Sequence, residues 1–240
     1  MGTVSGSTQT ARGSASPGSG FERLHRHISG GALLRACRGQ RVLDLGHGAP
    51  QITEWLRQKS VGALEVIDRD GCNRDDLDTL PIPGGDGSYD FVFALRTMAH
   101  LGTDDASSVA RARGLLRMVT RALRPRGVAM VEIANPTSFR GIMAGIRHPV
   151  TVIRQAPREH FVFADRYRLT RYDNLRRLYG MLPEALRVTR VTGIGVLSPS
   201  DRLLDIPLLR HPLTGLEKFL AHSDLWKRFG AYLLVSLRKT

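Results

Sequence analysis

The sequence predicts an α/β domain: a doubly wound, mostly parallel sheet with a C-terminal antiparallel hairpin and a small lid or insertion. Three observations carry this. Short apolar runs alternate with helical patterns through the first 135 residues, and strands alternating with helices make a parallel sheet covered on both faces. A length of 240 residues suits one main domain and does not require two independent cores. With 42% hydrophobic and 24% charged residues, the chain can bury a sizeable core.

Residues 1–20 are largely Gly, Ser and Thr and offer almost nothing to bury, so a flexible tail is expected there. The domain then spans 21–240. Its first segment, 21–40, reads as a cap helix: Leu24, Ile28, Leu33 and Leu34 place one or two helical turns on each side of Gly30-Gly31, which should loosen the middle. Arg41 to Leu45 is a short buried strand that enters a tight turn at Gly46-His47-Gly48. Pro50 suits the first turn of a helix running through Leu56. A second strand is expected at Ala63 to Ile67, then a polar stretch to Thr79, then a third strand at Tyr89 to Leu95. A helix from about Asp104 to Leu123 carries Val109, Leu115, Leu116, Val119 and Leu123 on one side. Arg124-Pro-Arg-Gly127 closes it, and Val128 to Ile133 is the fourth strand. Later come a short helix at Leu175 to Leu182 and two strands, Leu186 to Val196 and Tyr232 to Leu237, placed to pair with each other. No internal repeat is visible.

The charge balance is +13, from 35 Lys+Arg against 22 Asp+Glu. Such a balance invites a nucleic-acid or anionic-membrane partner. Only Lys59, Lys218, Lys227 and Lys239 are lysines, however, and the other 31 basic residues are arginines scattered through helices and strands alike. That distribution fits a coding bias toward arginine better than a dedicated nucleic-acid surface. No run reaches the roughly 20 apolar residues of a membrane span, and the N-terminus lacks a signal-peptide pattern. A cytoplasmic protein is expected. Cys37 and Cys72 are too few for a disulfide framework and are expected as reduced thiols. No metal cluster is expected.

The segment with most chemical content is Val42-Leu-Asp-Leu-Gly-His-Gly48. A pyrophosphate-binding Gly-x-Gly-x-x-Gly turn must receive an anion at the helix N-terminus, where a carboxylate would repel it. Here Asp44 ends the strand and Gln51 stands at the sixth position, so that fingerprint fails. A carboxylate beside backbone open to close approach suits a ligand with an ammonium group and a neutral nucleoside.

In these residues the sequence resembles the class I S-adenosylmethionine-dependent methyltransferases, in the small-molecule branch that includes ubiquinone/menaquinone-type methylases. Four segments in the family's order carry the resemblance across roughly residues 40 to 135: Val42 to Gly48; Leu64-Glu-Val-Ile-Asp68; Asp76-Leu-Asp-Thr-Leu-Pro-Ile-Pro with Gly87-Ser-Tyr-Asp-Phe-Val-Phe93; and Leu115 to Ala134. The resemblance implies a Rossmann-like fold and S-adenosylmethionine as cofactor. It places Asp44, Leu45, Gly46, His47 and Gly48 at the methionine end, Asp68 with Arg69 at the ribose, Asp76 and Leu77 at the adenine edge, and Leu95 at the end of the third strand. Asp70, Asp75 and Asp78 compete with Asp76 for its role. Two departures stand out. Pro50 replaces the family's third glycine, and Asp76 follows Asp68 by only eight positions, too few for the helix and full strand usual there. A reduced adenine pocket is expected.

The family's methyl acceptor sits above the carboxyl ends of the strands. His100 matches a common family histidine and is the expected catalytic base, with a side-chain pKa suited to that task. His25, His27, His148, His160 and Tyr167 lie on segments able to cover the site. Residues 136–185 are expected to form a substrate-covering insertion, with nine arginines against three acids between Phe139 and Gly180, a charge that suits an anionic acceptor. The function implied is methyl transfer to oxygen or nitrogen of a small molecule, in secondary-metabolite biosynthesis. The alternatives are an RNA methyltransferase, supported by charge alone, and a methyltransferase-fold protein that does not methylate.

Overall fold

The computed structural model describes residues 19–46, 48–59, 62–155, 160–165, 168–197 and 206–240. The expected tail, 1–20, lies outside them except at its end, where Ser19 caps the first helix and Glu22 returns the bond in a capping box.

The expected strands form at β1 (Val42–Leu45), β2 (Leu64–Ile67), β3 (Tyr89–Ala94), β4 (Leu123–Ala134), β7 (Leu186–Ile194) and β8 (Tyr232–Lys239). β1 pairs in parallel with β2 and β3, and β3 in parallel with β4, while β8 runs antiparallel between β4 and β7. A further hairpin, β5 (His160–Asp165) and β6 (Arg168–Asp173), completes an eight-stranded sheet. β6 touches β4 only at Ala134, through Tyr172. Because Ala134 also pairs with Tyr232 of β8, β6 occupies the other edge of β4, which β3 leaves vacant beyond Ala94. The hairpin therefore extends the sheet over the carboxyl end of β3.

Each face of the sheet is buried. On one, Phe91, Phe93 and Met130 pack against the N-terminal helix and against Ile52 and Leu56 of α3 (Pro50–Gln58). On the other, Val92, Val131 and Leu237 pack against Leu115, Leu116 and Val119 of α5 (Asp105–Ala122). The alternation of side chains along each strand thus produces the two-sided core that the apolar runs predict.

Three expectations change in the structure, while the shortage of chain after Asp68 has the expected result. The N-terminal helix is continuous: α1 (Gly20–His25) passes through a π-helical turn, Arg26–Gly30, into α2 (Gly31–Cys37). The glycines are accommodated by a wider turn and not by a break. Arg124-Pro-Arg-Gly127 is no separate turn. It is an irregular start to β4, where pairing slips between Tyr89 and Phe91 and Arg126 takes φ 64°, a value usually left to glycine. Between Asp68 and Leu77 there is only a one-turn helix, α4 (Arg69–Cys72), so β2 is the sheet edge. The 136–185 segment holds α6 (Phe139–Arg147), α7 (Pro149–Gln155), the β5–β6 hairpin and α8 (Leu175–Tyr179), and a helix absent from the sequence reading, α9 (Pro207–His222), precedes β8.

Candidate functional site

At the carboxyl edge of the sheet, β1 and β2 end side by side, and the amide of Gly46 donates to the Ile67 carbonyl at 2.7 Å. Asp44 is buried on the α3 side of β1, where Thr53 Oγ1 donates to its Oδ2 at 2.6 Å. Asp68, one residue beyond β2, is exposed. It caps α4, its Oδ1 accepting from the Gly71 amide at 2.7 Å, which holds the carboxylate in place at the strand end. The buried Cys72 thiol is pushed up to about 12, first by burial and then by the charges of Asp44 and Asp68. Both carboxylates therefore act on one small region.

The glycine turn is packed against the loop that follows β3. Gly46 has φ +89°, and a Cβ there would lie 2.1 Å from Thr97 Cγ2. At Gly48 a Cβ would lie 2.2 Å from the carbonyl oxygen of Leu95. Thr97 is buried, and its Oγ1 donates to the carbonyls of Leu45 at 2.7 Å and Leu95 at 3.2 Å. The glycines thus admit the chain's own 95–97 segment, joining the ends of β1 and β3. His47 lies outside the described residues, as does Tyr167. Arg69 opens α4.

Asp76 faces solvent in a bidentate pair with Arg74, at 2.8 Å to both Nε and Nη2. Leu77 turns inward, fully buried against Gly114 of α5. Two of the competing acids are engaged with α5, Asp75 with Arg111 and Asp78 with Arg117, and further along Asp86 pairs with Arg121. Asn73 Oδ1 accepts from the Gly102 amide and from Arg111. The acidic stretch that replaces a third α/β unit is thus latched to α5, with its Asp78 and Asp86 carboxyls held below their usual range by bonds from Arg117 and Arg121. Asp70, the remaining competitor, is exposed within α4.

His100 ends a 3₁₀ turn, Met98–His100, beneath β6, and its Nδ1 lies 3.2 Å from the Leu169 carbonyl. A carbonyl only accepts, so Nδ1 donates in this contact. Strand β6 of the insertion thus lies against this histidine's turn. The insertion's arginines have mixed roles. Arg171 is fully buried, donating to Asp173 and to the Ser108 carbonyl of α5. Arg140 stacks over Phe21, 4.4 Å from the ring centroid.

One cluster escaped the sequence reading. Glu132 of β4 is fully buried, with His25 Nε2 2.6 Å from its Oε1 and Ser29 Oγ donating to the same oxygen at 2.8 Å. Burial pushes this carboxyl up, but the charge and hydrogen bond of His25, the charge of Arg96 and the bond from Ser29 leave it below its ordinary value. Arg96 follows β3 with φ 56° and stacks over Phe21 and Tyr232. The only sequence signal was an acidic residue inside an apolar strand, Val131-Glu-Ile133. It implies a buried partner, without saying which.

No protein-family model matches the sequence, and no curated protein does. Among solved structures, a S-adenosylmethionine-dependent methyltransferase from Mesorhizobium loti is 16% identical, with TM-score 0.52, over 89% of this chain and 97% of its own. One from Methanosarcina mazei is 12% identical, with TM-score 0.51, over 87% and 96%. A Listeria monocytogenes protein solved as a candidate enzyme of the same kind is 12% identical, with TM-score 0.56, over 92% and 99%. The chain therefore has the class I S-adenosylmethionine-dependent methyltransferase fold, a Rossmann-like sheet with an antiparallel C-terminal pair.

Proposed function

We propose that the protein is a S-adenosylmethionine-dependent methyltransferase acting on oxygen or nitrogen of a small molecule, in secondary-metabolite biosynthesis. The observation that carries this is the pair of carboxylates at adjacent strand ends, Asp44 and Asp68, with the glycine turn between them on this fold. The donor set fits the cofactor: an exposed, pre-oriented Asp68 can accept from two ribose hydroxyls, and a buried Asp44 places negative charge behind the turn that would receive an ammonium group. When bound, the cofactor supplies an electrophilic methyl group on sulfur. The chain's contribution is chiefly positioning, which can account for much of the acceleration of an in-line displacement. His100, held by its bond to the Leu169 carbonyl, would take the proton from an acceptor hydroxyl.

A second reading is a methyltransferase-fold binding protein. It is favoured by the sheet edge at β2 and by the packing of Thr97 onto Gly46, which narrow the region where a cofactor would lie. Calorimetric titration with S-adenosylmethionine and S-adenosylhomocysteine separates the two. Micromolar binding that Asp68→Ala weakens roughly tenfold or more supports the cofactor reading. Absence of heat at millimolar ligand would overturn it.

A further inference from the structure

On the outer side of the N-terminal helix, away from Glu132, lies a cavity of about 670 Å³ between that helix, α3 and α9. Its polar lining is almost wholly basic: Arg23, Arg26, His27 and Arg35 from the helix, His211 and Lys218 from α9, with Trp55 of α3 as an aromatic wall. Among the described residues, no carboxylate lines it. The acids nearest in sequence are used elsewhere. Glu22 is in the capping box with Ser19, Glu54 is 3.7 Å from Arg57, and the buried Glu217 accepts from the amides of Val196 and Leu197. Among the described residues no carboxylate pairs with Arg26, Arg35 or Lys218.

The helix has an unusual shape where it meets this cavity. Arg26 and Arg35 are nine residues apart, which is half a turn out of phase on a regular helix. The π-helical turn between them shifts that phase, and both reach the same cavity. Gly31 lines the space between them and leaves it open. His27 is held below its ordinary value by burial first and then by the charges of Lys218 and Arg35, which places those two cations beside it. Arg26, Arg35 and Lys218 are exposed, and the concentration of basic side chains around one cavity favours the approach of an anion.

We propose that this cavity binds a small organic phosphate, with the guanidinium groups of Arg26 and Arg35 and the Lys218 ammonium on the phosphate oxygens and Trp55 against a flat ring. Guanidinium groups offer paired donors that match phosphate geometry. The site does not rest on the methyl-transfer reading, because none of its residues belongs to the β1–β2 edge.

ADP and inorganic pyrophosphate are suitable probes for calorimetry on the full chain. ADP should bind more tightly than pyrophosphate, both should weaken as salt rises, and Arg26→Gln and Arg35→Gln should each lower affinity roughly tenfold. In a Trp226→Phe background Trp55 is the sole indole, and its fluorescence should change on adding ADP. Thermal unfolding establishes that each variant is folded, and S-adenosylmethionine titration of the same variants should be unchanged. The proposal is overturned by no ADP or pyrophosphate binding at millimolar concentration. Equal affinity in the folded arginine variants would also overturn it, as would binding of an RNA oligonucleotide that pyrophosphate does not displace.

Discussion

The buried contact between the N-terminal helix and β4 offers the sharpest test of how this fold is held. Glu132 is fully buried, and its two bonds both reach the helix, at 2.6 Å to His25 and 2.8 Å to Ser29. In His25→Ala the carboxylate keeps only the Ser29 hydroxyl, and breaking such a buried pair from one side costs about 3–5 kcal/mol. In Glu132→Gln the shape is retained and an acceptor remains, so the loss is that of charge-assisted bonding, about 1.5–3 kcal/mol. Urea unfolding of both single variants and the double variant at pH 7 should give a coupling of about 1 kcal/mol or more. The pH dependence follows from the depressed Glu132 carboxyl. Its stabilisation is complete above the unfolded carboxylate value of about 4.3 and is lost as pH falls through the lower folded value. The gap between wild type and Glu132→Gln should therefore narrow below about pH 4. Single-variant effects that add within about 0.5 kcal/mol, or a gap that widens in acid, would refute this account.

Gly46→Ala should destabilise by about 1–3 kcal/mol, since the new methyl would meet Thr97 at 2.1 Å on a backbone with φ +89°; an unchanged urea midpoint would contradict the packing. Arg171→Ala, which strands a buried Asp173, should cost about 3–5 kcal/mol. Arg117→Ala removes a half-exposed pair with Asp78 and should cost under about 1 kcal/mol, so the ranking of the two midpoints is the check. With a hydroxyl acceptor, His100→Gln should lower kcat by about 10²–10⁴ at unchanged cofactor affinity, and full turnover would remove it as the base.

The parallel strands, α3 and α5 were legible because each is announced locally: an apolar run, a glycine turn, Pro50 at a first helical turn, a 3.6-residue pattern closing at Leu123. The missing third unit was legible too, as simple shortage of chain between Asp68 and Asp76. What had no local mark was lost. Helix α9 carries Pro212 in its interior and exposes Leu216 and Phe219, so its pattern does not read as one buried face. The β5–β6 hairpin is identified as part of the sheet only by the single pairing at Ala134. The acidic residues between Asp75 and Asp86 could have faced a ligand or a helix, and only α5, with an arginine opposite several of them, shows what they bind.

By itself the sequence determined the order of elements, the two apolar faces of the sheet, and the placement of carboxylates at the ends of β1 and β2. These depend on chain-local periodicity and turn chemistry, which read directly from neighbouring residues. Tertiary structure alone decided that Glu132 meets a histidine 107 residues away. It also decided that the glycine turn receives Thr97, and that Arg26 and Arg35 line one cavity with α9. Those contacts join segments with no sequence relation to one another, and they exist only once the packed sheet has brought the segments together.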